Sequence, residues 1–538
     1  MTDLAFLLSL TVLAMVVLAG ALATRRARLW RIGRAARVDW VAGLLALPKR
    51  YLVDVHHVVG RDPYAARMHA LAAGGLLAGS GLALLGLIPA LGDNRLFWWL
   101  TALTFAAAFT GGGMVGRRRL PVKPARLSGG RFQILPFLLA AYTGGGFLVA
   151  LDASLGGALW PLGGIGLAFA LIGGIGLAWQ IDRGPMRHAF AGAAHLVAHP
   201  RPGRFNGERA TGLAPLDLDA PRLGVAMPED FAFNRLIGFD ACIQCGRCEV
   251  ACPAFAAGQP LNPKRLIQDL AASLQPGASN AAYAGSPYPN ARPVAGVGGP
   301  GLPIVGEGAM IHPDTLWSCT TCRACVEECP MMIEHVDAIL DLRRFQTLEL
   351  GTVPARAAAP LMELRYADEP GGRALASRTD FAAGLTLPLI SDKGEADILL
   401  WLGEGAYELR YGRTLRALLT LLHKAGVDFA VLGAEERDCG DLARRLGDEA
   451  GFQRLARANI ATLSRYRFAR ILTADPHALH ALRNEYRDFG GRYEVVHHTA
   501  FLDELAAAGR LDVGTLDAAR ITYHDPCYLG RYNGEVDA

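Results

Sequence analysis

The sequence predicts three unlike parts in one chain: a five-helix transmembrane domain, a domain built around metal clusters, and an α/β domain. Three observations carry this. Five long apolar stretches lie within the first 181 residues, and eight of the ten cysteines fall in two tight runs between residues 242 and 329. Beyond residue 390, short apolar strands alternate with helical patterns. We place the three parts at 1–200, 201–350 and 390–538; a chain of 538 residues is too long for a single core.

The apolar stretches run over 4–24, 70–91, 96–115, 132–151 and 156–181. Each is about as long as a hydrocarbon core of roughly 30 Å requires at 1.5 Å per residue. Charged residues are 19% of the chain, below the usual quarter, and the mean hydropathy is +0.23. The first stretch reads as a span rather than a cleaved signal, because its arginines follow the apolar run. Arg25, Arg26, Arg28, Arg31, Arg34 and Arg37 follow the first stretch; Arg117, Arg118, Arg119, Lys123, Arg126 and Arg131 follow the third; Arg183 and Arg187 follow the fifth. The opposite loops hold only Arg95. The positive-inside rule then puts the N-terminus outside a multi-pass inner (cytoplasmic) membrane protein, with everything after residue 181 in the cytoplasm. Basic residues so placed report topology, and a net charge of +4 gives no reason to expect a nucleic-acid partner.

Residues 38–60 mix apolar and basic side chains around His56 and His57 and read as an interfacial amphipathic segment. Glycine runs within the spans, Gly144-Gly145-Gly146 and Gly163-Gly164-Ile165-Gly166, follow no strand, so they predict close helix packing rather than a dinucleotide turn. His69 lies at the inner end of the second span, and His188, His195 and His199 follow the fifth. Two neutral imidazoles can ligate a haem iron from opposite sides, which makes His69, His188 and His195 candidate ligands of a haem b; the alternative is that they are solvated residues at the inner face.

The most specific signal is Cys242-x₂-Cys245-x₂-Cys248-x₃-Cys252-Pro253, repeated as Cys319-x₂-Cys322-x₂-Cys325-x₃-Cys329-Pro330. This is the bacterial run that binds a pair of [4Fe-4S] clusters, in which the fourth cysteine serves the other cluster. We therefore expect one cluster on Cys242, Cys245, Cys248 and Cys329, and a second on Cys319, Cys322, Cys325 and Cys252, within a dicluster ferredoxin-like α-helical or α+β domain. Zinc sites usually space their cysteines as two separated pairs, which neither run does. A Gly/Pro-rich stretch at 285–306 reads as a surface loop.

In the last third, strands are expected at 398–402, 429–432 and 470–473, with helices at 415–425 and 442–466: a parallel α/β domain. The run Gly440-Asp441 to Gly447, Asn484-Glu485-Tyr486, Phe489 to Gly491, Val495 to Thr499 and His524-Asp525-Pro526-Cys527 resemble the cysteine-rich repeats of heterodisulfide reductase-like iron–sulfur oxidoreductases. With residues 47–57 and Arg61-Asp62-Pro63-Tyr64, the whole chain resembles the membrane-bound dimethylglycine-catabolism B type, and its spans are similar to the haem-binding gamma subunit of nitrate reductases. The resemblance implies electron flow from a cytoplasmic flavoprotein dehydrogenase, through electron-transfer flavoprotein-like subunits, to the membrane quinone, in the catabolism of N-methylated amines. Where the relatives carry cysteines this chain has Glu404, Asp438 beside Cys439, Asp475 and Ala478, and it stops soon after Cys527. The sequence thus leads us to expect a degenerate and truncated cysteine-rich domain. No catalytic constellation stands out, so the expected role is electron transfer, with a heterodisulfide reductase-like catalyst and a redox sensor or scaffold as alternatives.

Overall fold

The computed structural model describes residues 2–279, 296–514, 520 and 522–536. The 285–295 part of the expected surface loop lies outside them. The chain packs as two units. One comprises Met1–Phe205, Met227–Ser318 and Ala324–His335; the other comprises Asn206–Ala226, Cys319–Arg323 and Val336–Ala538. The three-part division above follows composition and this one follows packing.

In the first unit, five helices are long and apolar enough to cross a membrane: Asp3–Trp30, Pro63–Leu85, Arg95–Arg119, Arg131–Ser154 and Trp160–Asp182. All five expected spans are present. The second begins earlier than its apolar run, capped by Asp62, and includes a wide turn at Ala70–Gly74. It stops at Leu85 rather than residue 91, just before Pro89, which cannot donate to a continuing helix. Glycines set how closely the spans approach. A Cβ on Gly145 would stand 2.3 Å from the carbonyl of Gly166, and one on Gly111 would stand 2.2 Å from the amide of Ala72. The glycine runs thus pack helices, as expected in lipid, where close backbone approach replaces hydrophobic drive. Hydroxyls add polar ties: Ser9 Oγ donates to the Ala83 carbonyl at 2.6 Å, and Ser80 and Tyr142 share a hydrogen bond of 2.7 Å.

The 38–60 segment is helical from Trp40 through Val59, with Trp40, Val41, Leu44, Leu45, Leu52 and Val53 exposed. Such an uncovered apolar face suits a helix lying in the interface. The C-terminal end of the first of these helices is tied to the cysteine segment by a buried cluster. Arg26 grips Asp240 with two bonds of 2.8 and 2.6 Å, Trp30 donates to the same carboxylate at 2.7 Å, and Arg187 adds a contact of 3.1 Å. Asp240 ends helix Phe233–Asp240, two residues before Cys242.

The second unit contains a four-stranded parallel sheet. Its strands are β3 (Glu395–Trp401), β4 (Phe429–Ala430), β5 (Arg467–Thr473) and β6 (Val495–His497), in the order β4-β3-β5-β6; β1 (Ala278–Ser279) and β2 (Val297–Gly298) form a separate antiparallel pair in the first unit. Leu399 and Trp401 enter one core while Ile398 and Leu400 enter the other, so β3 is buried on both faces, as parallel strands are. The expected α/β pattern holds, with one correction. The predicted helix at 442–466 is two helices, Asp441–Arg445 and Glu449–Leu463. Gly447 breaks it with φ +87°, and a Cβ there would lie 2.5 Å from the Arg343 backbone.

Candidate functional site

Each cysteine loop is built around left-handed residues that turn the backbone inward. Gln244 (φ +53°) stands between Cys242 and Cys245, and Thr321 (φ +56°) stands between Cys319 and Cys322. The next kink falls at Gly246 (φ +71°) in one run and at Arg323 (φ +59°) in the other. Non-glycine residues enter this region at a cost of roughly 1–3 kcal/mol, which persists only where the surroundings demand it. The return is an amide aimed at sulfur: the Thr321 N–H donates to Cys319 Sγ at 3.3 Å. Glycine is required at 246 because a Cβ would meet the Arg126 carbonyl at 2.2 Å. Arg126, from the loop between the third and fourth spans, also donates to the Cys245 carbonyl at 3.0 Å.

Within the first unit, Cys242, Cys245, Cys248 and Cys329 line one small cavity with Lys264, Pro330 and Ile333. Cys329 comes from the second run, and Cys252 of the first run is not part of this lining. Burial pushes the Cys242 and Cys329 thiols up to about 12, and the neighbouring sulfurs add to it; Cys248 is raised well above its usual range for the same reasons. Thiols raised in this way become thiolates only beside compensating positive charge, which a metal cluster supplies. The donor set is soft sulfur spread around a cavity. Among the described residues no three such side chains converge on a point as a single ion would need. These residues fit a [4Fe-4S] cluster. In the second unit, the Cys319 carbonyl accepts from Arg343 at 2.7 Å and the Thr321 carbonyl from the Tyr532 hydroxyl at 2.5 Å. Tyr532 stacks on Tyr528 at 4.0 Å, both on helix Cys527–Asn533, so the His524-Asp525-Pro526-Cys527 motif introduces the helix that braces this loop.

A larger cavity, about 280 Å³, opens between the spans and the first cysteine loop of that first unit. Its lining includes Tyr51, His69, Leu77, Leu139, His188 and Cys245. Thus two of the three candidate haem ligands face one space. His195 does not line it; buried, it lies beside His199 with ring centroids 4.8 Å apart and the rings tilted by 53°. The His188 ring is held by a 2.5 Å hydrogen bond between Nδ1 and the Pro185 carbonyl, whereas His69 Nδ1 is buried with no hydrogen-bond partner.

At the C-terminal edge of the β3–β6 sheet, Glu404, Asp438 and Asp475 come together beside Cys439. Burial lifts the Asp438 carboxyl to about 7, and the Asp475 and Glu404 charges add to the lift. Ala478 is buried nearby on helix Pro476–His480. Three of the positions expected to carry thiolates thus hold carboxylates whose charges act on one another near Cys439.

Known proteins resemble this chain along nearly all of its length. A "Probable membrane-anchored ferredoxin" of Chromohalobacter salexigens is 51% identical to the chain, over 99% of the chain and 82% of the relative. The chain belongs to the membrane-anchored ferredoxin family. Its family matches are a domain of unknown function (DUF3483) at 5–221, a 4Fe-4S dicluster domain at 238–333 and a cysteine-rich domain at 402–483. An "EtfAB:quinone oxidoreductase" of Syntrophomonas wolfei is 37% identical over 59% of the chain, which spans 46% of that protein's length. A component of the dihydromethanophenazine:CoB–CoM heterodisulfide reductase of Methanosarcina barkeri is 29% identical, over 56% of the chain and 72% of that component. No solved structure matches.

The chain thus has five candidate membrane helices followed by a 4Fe-4S dicluster domain and a cysteine-rich domain, the order its sequence predicted. The sequence reading missed Tyr51 and Arg126. Tyr51 lies in the interfacial segment, where only the nearby histidines drew attention. Arg126 was counted as a topology charge, and no local signal marks it as a partner of the cysteine loop.

Proposed function

We propose that this protein carries electrons from a cytoplasmic flavoprotein donor, of the electron-transfer flavoprotein class, to a membrane quinone. One observation supports this above the others: Cys245 belongs both to the cysteine cage and to the lining of an apolar cavity among the spans. Cys242, Cys245, Cys248 and Cys329 would hold one [4Fe-4S] cluster; motif spacing assigns Cys319, Cys322, Cys325 and Cys252 to the other. Bound clusters supply single-electron carriers. The chain's own residues exclude water from the sulfurs, aim amides at them and join the cage to the membrane helices. The quinone and flavoprotein assignments draw on the Syntrophomonas wolfei relative, an EtfAB:quinone oxidoreductase by name. A place in the catabolism of N-methylated amines rests on the dimethylglycine-type resemblance. A cytoplasmic position for everything after residue 181 rests on the basic loops.

A second reading puts a haem b between His69 and His188, as the nitrate reductase gamma-like resemblance implies; their shared cavity favours it. A heterodisulfide reductase-like catalytic role would need thiolates where Glu404, Asp438 and Asp475 stand. A sensor would not turn over. The deciding experiment mixes full-length protein in lipid vesicles with a reduced electron-transfer flavoprotein and adds decylubiquinone. Continuous flavoprotein oxidation that requires the quinone is expected. A single partial oxidation that stops once the clusters are reduced would sink the conduit and leave the sensor.

A further inference from the structure

We infer that the 280 Å³ cavity is the site where the quinone head group binds, with His69 as donor to one quinone oxygen and His188 as acceptor for the quinol hydroxyl. This rests on the electron-transfer reading above and assigns its membrane substrate a place. The ring chemistry makes the case. His69 Nδ1 is buried with nothing to donate to. A proton on that nitrogen would be stranded, so the stable neutral tautomer carries it on Nε2. An Nε2–H imidazole donates a hydrogen bond, and to ligate iron through Nε2 it would have to move that proton to Nδ1, which has no acceptor. A metal-ligating histidine is usually steadied by an acceptor for its other N–H, and His69 lacks one. His188 is the opposite: Nδ1–H donates to the Pro185 carbonyl at 2.5 Å, which leaves Nε2 a lone pair. One donor and one acceptor on one cavity match a carbonyl that becomes a hydroxyl.

The remainder of the lining suits the same ligand. Leu76, Leu77, Leu135 and Leu139 come from the second and fourth spans, and Leu77 is 63% exposed, so the cavity reaches the bundle's apolar outer surface. A long-tailed ligand could enter there from the bilayer. The arginines at the other end are already engaged: Arg118 and Arg126 pair with Asp62 at 3.1 and 3.6 Å, and Arg119 donates to the Ser128 carbonyl at 3.0 Å. That argues against a lipid phosphate as occupant. In the reaction the quinone takes two electrons, one at a time, from the flavoprotein by way of the Cys245 side of the cavity. It also takes two protons from water, so each C=O becomes C–OH.

The test uses full-length holoprotein in lipid vesicles, reduced methyl viologen as donor and decylubiquinone as probe. His69→Leu removes the donor, and Ala73→Trp fills the cavity from the second span. For His69→Leu the KM for decylubiquinone should rise about tenfold with a smaller change in kcat, the weight of one hydrogen bond. Ala73→Trp should lower kcat/KM at least about tenfold, the worth of some 1.4 kcal/mol of lost binding. The iron–sulfur absorbance identifies folded, loaded protein in each case. Unchanged quinone kinetics in both loaded variants would overturn the assignment. So would a b-type α-band in the wild type that disappears in His69→Leu, since iron would then hold the cavity. A wild type that accepts viologen electrons yet never reduces decylubiquinone would instead overturn the proposed function itself.

Discussion

Single residues decide how the cysteine cage is joined to the spans. Asp240 is buried among Arg26, Trp30 and Arg187; burial alone would raise its pKa, but the two guanidinium groups and the hydrogen bonds outweigh it and lower it below 3.8. Its stabilising effect is therefore present above the unfolded value of 3.8 and is lost as pH falls through the lower folded value. Asp240→Ala leaves Arg26 buried without its carboxylate and should cost about 3–5 kcal/mol. Thermal loss of the iron–sulfur absorbance at pH 7 measures this, and the difference from wild type should shrink only well below pH 4. Asp438 behaves in the opposite way. With a folded value of about 7 against 3.8, the folded state is penalised increasingly as pH rises from 3.8 to 7, and by a constant amount above. Asp438→Asn keeps an oxygen for the Gly440 amide, now 2.7 Å away. It should stabilise the second unit by at least about 1 kcal/mol at pH 8 and have little effect at pH 4. Equal unfolding midpoints at pH 8 would show that the carboxyl titrates normally.

At the scale of elements, the cysteine runs were legible because loop, kink and proline fall at fixed spacing, and that spacing is the ground for expecting Cys329 to serve the first run's cluster. The same logic predicts that Cys329→Ser damages the cluster held by Cys242, Cys245 and Cys248, whereas Cys252→Ser spares it and damages the other. Electron paramagnetic resonance of the reduced protein distinguishes the two clusters; loss of the same signal in both variants would contradict the crossing. The spans were equally legible, since length and apolarity suffice to mark a helix in lipid. Helix ends were less so. The break at Gly447 comes from contact with the Arg343 backbone, distant in sequence, and no local pattern announces it.

For the whole molecule, the basic loops predict that a reporter active only in the cytoplasm works when fused after Pro121 or Pro200 and fails after Asn94 or Ser154. Activity at Asn94 would overturn the orientation. Removing residues 1–181 would take Arg26 and Trp30 away from Asp240 and Arg126 away from Cys245, so the spans do more than tether this cysteine cage. By itself the sequence determined five apolar helices, two cluster-binding runs and a parallel α/β domain, because each is written in local periodicity or spacing. Only the tertiary structure decided that His69 and His188 share a cavity while His195 does not, that Cys245 borders it, and that Arg126 and Gly246 meet. Those facts depend on which helix faces come together. Side-chain packing and buried hydrogen bonds settle that among residues far apart in the chain, and no window of sequence contains both partners.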